Sequence, residues 1–193
     1  MKSIIYWHPV FYYALMQIIY KGKLKEHYTL LAKEIDNLKV LDLCCADGRL
    51  ADFLINKKNY LGIDINHIFV KSAKKKGIEV KKGDILDIEW PETDCIILMG
   101  SLYQFYPNHD SLVKKMLNHA SKKVILSEVH THLADSKNRF ISFLARNLTG
   151  INNKANENRF NRADLLSIFK KHNASRIIDT GKDIIGIFEK TVN

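Results

Sequence analysis

The chain lacks the features that most quickly fix a protein's class. Its three cysteines (Cys44, Cys45, Cys95) are odd in number and carry no metal-ligand spacing, which argues against a disulfide scaffold or a zinc site. They fall in or beside apolar strand patterns and read as reduced core or turn residues of a cytoplasmic protein. No apolar run is convincing as a membrane span. The most apolar stretch, Ile4 to Tyr20, is slightly short and is broken by His8-Pro9 and Gln17. No small-residue cleavage site follows it, as a secretory leader requires. Arginine-rich runs with interleaved aromatics are absent, and so are internal repeats and any sign of a second domain. At 193 residues the chain has room for one domain with a real core.

Charge is the conspicuous surplus. A formal net charge of +9 invites a nucleic-acid or anionic-membrane partner. The simpler account is local. Lys57-Lys58, Lys74-Lys75-Lys76 and Lys170-Lys171 sit where helices are expected to end, and cations are favoured there by the helix dipole.

The organising stretch is Leu38 to Leu50. An apolar run (Leu38, Val40, Leu41, Leu43) stops in the small residues Cys44, Cys45, Ala46 and Gly48, and helical spacing resumes at Leu50, Phe53 and Leu54. This predicts strand, tight turn and helix, with the helix N-terminus and its free N–H groups aimed at a ligand. Tyr60 to Asp64 repeats the strand and ends in an acid, as doubly wound folds do to hold ribose hydroxyls.

The alternation continues. A helix is expected from about Pro9, then another over 24–36. The first strand covers 39–44, a helix 48–57 and the second strand 60–64. Asn66 caps a helix over 67–76, which Gly77 stops. A third strand covers 78–82, a fourth 94–99, a helix capped by Asn108 covers 109–120, and a fifth strand 123–128. An amphipathic helix through Phe140, Phe143, Leu144 and Leu148 and an asparagine-rich loop suggest an insertion over the sheet edge. Asn161 begins a helix with Asp164 in its first turn. Two strands, 174–179 and 184–190, close the chain as a hairpin. The pattern is α/β: a doubly wound, seven-stranded, mostly parallel sheet with N-terminal helices and a helical cap after strand five.

These stretches together resemble the class I S-adenosylmethionine-dependent methyltransferases over nearly the whole chain, which implies their Rossmann-like fold. Val40 to Gly48 is similar to their first motif, Asp64 to their ribose-binding acid, and Gly83-Asp84-Ile85 to the segment flanking the adenine. Within the family, the doubled cysteine and the aromatic N-terminal helix are most similar to the menaquinone/ubiquinone C-methyltransferases. The resemblance implies one domain in four parts: a helical lid (1–37), a cofactor-binding core (38–130), a cap (131–160) and a helix with the closing hairpin (161–193). One departure stands out. Ala46 replaces the usual middle glycine, and alanine serves if the position needs smallness and not a positive φ, which is the expectation here. The full G-x-G-x-x-G of a nicotinamide-binding domain is absent.

The resemblance implies roles for particular residues. Asp42, Cys44, Ala46, Gly48, Asp64, Ile65, Asp84, Ile85, Met99 and Gly100 would surround S-adenosylmethionine. Tyr12, Tyr13, Met16, Tyr103 and Phe143 would line the acceptor pocket. Candidates for a base are Tyr103, Glu128 and His130, with Tyr106 and His132 nearby. Glu128, His130 and His132 also carry the ligand types of a metal site, but three ligands in a row on one strand make poor geometry, so no metal is expected. The implied activity is methyl transfer to a small apolar or aromatic acceptor. The alternatives are RNA or another anionic macromolecule as acceptor, or a non-catalytic cofactor-binding protein. The Asn/Asp-Pro-Pro-aromatic signature of amino methylation is absent after the fourth strand, where the sequence is Met99-Gly100-Ser101-Leu102-Tyr103. Lys21, Lys23 and Lys25 beside the aromatic helix raise peripheral membrane contact as a further option.

Overall fold

The computed structural model describes residues 8–130 and 159–190. Short aliphatic runs build one sheet: β1 (Val40–Leu43), β2 (Tyr60–Asp64), β3 (Val80–Lys82), β4 (Cys95–Met99), β5 (Lys123–Val129), β6 (Arg176–Asp179) and β7 (Asp183–Glu189). Their order is β3-β2-β1-β4-β5-β7-β6. The first five pair in parallel, whereas β7 runs antiparallel to both its neighbours. The closing hairpin folds back, so the last strand in sequence lies inside the sheet and β6 forms the edge.

Helices α1 (Pro9–Ile19), α2 (Leu24–Ile35), α3 (His67–Lys75), α4 (His109–His119) and α5 (Arg162–Lys171) surround the sheet. Their ends follow from local chemistry. Pro9 occupies the first turn of α1, where its missing N–H costs nothing. The Asn66 side chain accepts from Ile68 N at 3.0 Å to start α3. Gly77, at φ +72°, takes the left-handed position just past its end. Asn161 and Asp164 form a reciprocal capping box on α5.

Several expectations are corrected. No α-helix covers 48–57; a 3₁₀ turn runs over Arg49–Phe53 and another over Lys57–Asn59. Asn56 accepts from Lys58 N at 3.0 Å, and this local cap gives the backbone an alternative to continued helix. Lys57 and Lys58 therefore belong to that second turn and not to a helix end. Asn108 precedes α4 without a side-chain capping bond. The third strand is shorter than expected and begins at Val80. Phe143, His132 and most of the expected cap lie outside the described residues.

Strand alternation divides the core in two. Val40, Tyr60, Cys95, Ile97, Ile125, Ile185 and Ile187 share a cluster with side chains of α1, α2 and α3. Leu41, Leu43, Ile63, Ile96, Leu98, Leu126, Ile184 and Phe188 pack with α4 and α5. The same alternation puts Asp42, Asp64, Met99, Ser127 and Asp183 on the α1–α3 face. Of these, Ser127 and Asp183 reach α2 through His27.

Candidate active site

The turn after β1 is held in a left-handed backbone at alternate residues: Cys44 (φ 56°), Ala46 (φ 50°) and Gly48 (φ 68°). The expectation that position 46 needs only smallness is overturned. An alanine there bears a conformational cost of about 1–2 kcal/mol that glycine avoids. The turn is compensated by hydrogen bonds to its neighbours. Ala46 N donates to Asp64 Oδ2 at 2.7 Å, Cys45 N to the Ile63 carbonyl at 3.1 Å, and Gly48 N to the Cys45 carbonyl at 3.0 Å. Of the backbone amides expected to face a ligand, those of Ala46 and Gly48 are therefore engaged, one with the tip of β2 and one within the turn. Burial pushes all three cysteine thiols up, Cys95 to about 12, so they stay protonated and unreactive at neutral pH.

Asp64 ends β2 and is buried. Each carboxylate oxygen accepts one backbone N–H: Oδ2 from Ala46 and Oδ1 from Asn66 at 2.8 Å. Burial raises its pKa, against the lowering effect of those two bonds. Each oxygen retains a second lone pair, so the group could also accept from a diol. Beside it Ile65 is 65% exposed, and Leu86 is 56% exposed. Two large apolar side chains open to solvent near the ends of β2 and β3 suit a flat aromatic base. The Ile85 side chain is instead buried in the core; its carbonyl accepts from Trp90 Nε1 and Lys115 Nζ. Asp84 Oδ1 accepts from Leu86 N at 2.9 Å and so shapes the loop.

Asp42 lies inside the same corner. Tyr60 Oη donates to its Oδ2 at 2.7 Å. Burial, aided by the charge of Asp64, pushes the Asp42 carboxyl up to about 7, while the Tyr60 bond opposes this. Gly62 lies alongside; a Cβ there would meet Cys45 Sγ at 2.5 Å and Tyr60 Oη at 3.0 Å. Asp47, next in the turn, pairs with Arg49 Nη2 at 3.2 Å and with Lys76. The Arg49 guanidinium stacks 3.9 Å above the Tyr13 ring, which ties α1 to the turn.

At the end of β4, Gly100 adopts φ 61° and its N–H donates to the Ser127 carbonyl at 2.7 Å. Met99 is half-buried against the α1–α3 cluster. Glu128 is buried; its Oε2 accepts from Leu102 N at 2.7 Å. Burial pushes its carboxyl up to about 7, against the bond to Leu102 and the charge of Arg159. Tyr103 is buried under Arg159, whose Cζ is 4.3 Å from the ring centre. His130 instead leans toward Asp179, with Nε2 3.8 Å from Oδ1, so it parts from Glu128. Tyr106 is half-exposed and stacks on His109. Of the N-terminal candidates, Met16 is buried, Tyr12 lies 5.2 Å from the Phe69 ring, and Tyr13 accepts from Gln17. All three pack with the cluster that holds Met99. Among the described residues no group of three His, Cys, Asp or Glu side chains could hold a metal ion.

Sequence reasoning missed one buried constellation. His27 of α2 sits between Tyr20, Ser127 and Asp183, all four less than a tenth exposed. Its Nε2 is 3.4 Å from Tyr20 Oη and from Ser127 Oγ. Its Nδ1 is 3.1 Å from Asp183 Oδ2, close enough for charge attraction but off the line of a hydrogen bond. Ser127 Oγ donates to Asp183 Oδ2 at 2.7 Å, and Thr180 also donates to this carboxylate. Burial lowers the His27 pKa, while Asp183 opposes this. Histidines spread singly through the sequence gave no hint of it. Asp47, Arg49 and Tyr60 were missed for the same reason: each looked like an ordinary turn or strand residue.

Comparisons with known proteins bear on the family and the fold. The sequence profile of a family described as "Methyltransferase domain" matches residues 40–136, half of the chain. The fold resembles magnesium protoporphyrin IX methyltransferase from Synechocystis PCC 6803 with bound S-adenosylhomocysteine: TM-score 0.60, 16% identity, covering 91% of this chain and 85% of that one. It also resembles the methyltransferase domain of bacterial CtHen1-C, with TM-score 0.62 and 15% identity over 90% of this chain and all (100%) of that one. The CurJ carbon methyltransferase is similar at TM-score 0.64 and 12% identity, over 86% of this chain and 54% of that one. No curated protein sequence matches the chain. With a profile match that begins at β1 and runs past β5, and a sheet carrying the inserted antiparallel β7, the chain belongs to the class I S-adenosylmethionine-dependent methyltransferases.

Proposed function

We propose that this enzyme transfers the methyl group of S-adenosylmethionine to a small apolar or aromatic acceptor. The observation that supports the acceptor class is the lining of the α1–α3 face: Met16 of α1 belongs to the apolar cluster there, and Tyr12, Tyr13 and Met99 at the tip of β4 pack against it. Aromatic and thioether side chains favour a flat, greasy molecule over a charged one. When bound, S-adenosylmethionine supplies an electrophilic methyl, so the protein's share is chiefly alignment and exclusion of water. Asp64 would hold the ribose hydroxyls with its remaining lone pairs, Asp42 would meet the cofactor's amino group, and Ile65 with Leu86 would flank the adenine. Gly100 leaves room at the reacting end. Glu128, buried and pushed up to about 7, holds the backbone of Leu102 and so fixes the loop that carries Tyr103.

A second acceptor class, RNA, has one observation in its favour. His67, Lys71, Lys74, Lys75 and Lys82 line a groove of about 490 Å³ around Val70 on α3 and β3. That groove is three strands from β4, roughly 14 Å at ordinary strand spacing, which suits the small acceptor better. The test is calorimetric titration with S-adenosylhomocysteine, paired with methyl transfer to phenolic and quinol acceptors and to RNA. Asp64→Ala is expected to weaken binding at least tenfold while the circular dichroism spectrum is kept. An unchanged dissociation constant, or transfer to RNA alone, would overturn the proposal.

A further inference from the structure

The outward side of α1 is unusual for a helix that packs on a sheet. At 100° per residue, Val10, Phe11, Ala14 and Ile18 fall within an arc of about 100°. All four are exposed, Val10 at 62%, Phe11 at 58% and Ile18 at 49%. The opposite arc, with Tyr12, Met16 and Ile19, packs inward. The helix sequence, PVFYYALMQII, contains no charged residue. A helix apolar all round is normally enclosed on all sides, and this one is enclosed on only one. Directly after it the chain presents Lys21, Lys23 and Lys25, all exposed, with Lys182 near enough to feel the charge of Lys21. Among the described residues none of the three N-terminal ammonium groups makes an ion pair.

We infer that α1 seats in the surface of an anionic lipid leaflet, with Val10, Phe11 and Ile18 entering the acyl boundary and the lysines meeting the headgroups. The physical pattern is that of an in-plane helix: an apolar strip beside a basic flank, each contributing to binding. Charge favours lipid over a second copy of the chain. Pairing two α1 faces would bring six of these lysines together against only two copies of Glu26, the one acid in that stretch, in a chain of net charge +9. The inference goes beyond the proposed reaction and stands without it.

The test is vesicle co-sedimentation of the full chain without cofactor, on phosphatidylcholine alone and with one third phosphatidylglycerol. Binding is expected on the anionic vesicles, at least tenfold weaker on the neutral ones, and lost in molar salt. The double variant Phe11→Glu with Ile18→Glu should lose it by tenfold or more. The triple variant Lys21→Gln, Lys23→Gln, Lys25→Gln, which touches only exposed residues, should do the same with an unaltered circular dichroism spectrum. Equal binding to neutral vesicles, retention by the triple variant, or no binding at all would overturn the inference. So would a dimer in sedimentation that the glutamate variant dissolves while vesicle binding is absent. Loss of S-adenosylhomocysteine binding with vesicle binding intact would refute only the proposed reaction.

Discussion

Cofactor binding should tighten as pH rises from 6 to 8, and Asp42 should be the cause. Its carboxyl is held near 7 by burial inside the β1–β2 corner, with Tyr60 donating to it at 2.7 Å. A carboxyl that titrates near 7 is about 90% protonated at pH 6 and about 90% ionised at pH 8. If its anion meets the cofactor's ammonium, affinity falls about tenfold per unit below 7, or roughly 1.4 kcal/mol. The free protein behaves in the opposite sense. Because the folded pKa is raised above the unfolded value of 3.8, the stabilising contribution of this group is complete below that value. It is lost as pH rises through about 7, up to on the order of 4 kcal/mol, since the unfolded chain has already shed the proton. Rising pH therefore weakens the free fold and strengthens the complex. The assay is calorimetric titration with S-adenosylhomocysteine at pH 6, 7 and 8, each in phosphate and in Tris. Proton release at pH 6 should make the heat depend on the buffer. Tyr60→Phe should move the inflection upward by removing the opposing bond, and Asp42→Asn should flatten the profile at weak affinity. A dissociation constant that is flat with pH, or an Asp42→Asn protein that binds like wild type at pH 8, would refute the reasoning.

Two further outcomes concern the scaffold. In Asp183→Ala, Ser127 and Thr180 lose a shared buried acceptor and His27 loses the carboxylate beside it. Unfolding free energy should drop by about 3–5 kcal/mol in urea titration, and a loss below about 1 kcal/mol would show that the constellation is idle. In Gly186→Ala, the new methyl would lie 2.8 Å from the ring of Phe169, a fully buried residue. The urea midpoint should fall by an amount equivalent to about 1–3 kcal/mol, and an unchanged midpoint would refute the tight packing of α5 on β7.

How much could be seen in the sequence depended on the range of the interaction. Strands such as Cys95–Met99 were visible because burial on both faces demands an unbroken aliphatic run. The ends of α3 and α5 were visible because Asn66, Gly77 and the Asn161–Asp164 pair act within four residues. Asp64 stood out by its place at a strand tip. The His27–Asp183 contact left no trace, since it joins α2 to the final hairpin and neither residue forms a local pattern. The backbone of Ala46 was misjudged for a related reason. Its φ is imposed by Asp64, eighteen residues away, and not by its own side chain. The turn at Arg49–Phe53 was taken for a helix because Leu50, Phe53 and Leu54 show helical spacing, which a 3₁₀ turn can bury equally well over so short a stretch.

The bond from Ala46 to Asp64 has one more implication. Two non-glycine residues, Cys44 and Ala46, sit in a conformation they would not choose alone, and it is the tip of the neighbouring strand that keeps them there. A change at the acid is then also a change in the shape of the loop it braces. Any survey of tolerated substitutions should find positions 46 and 64 varying as a pair, with glycine at 46 relaxing the demand on its partner.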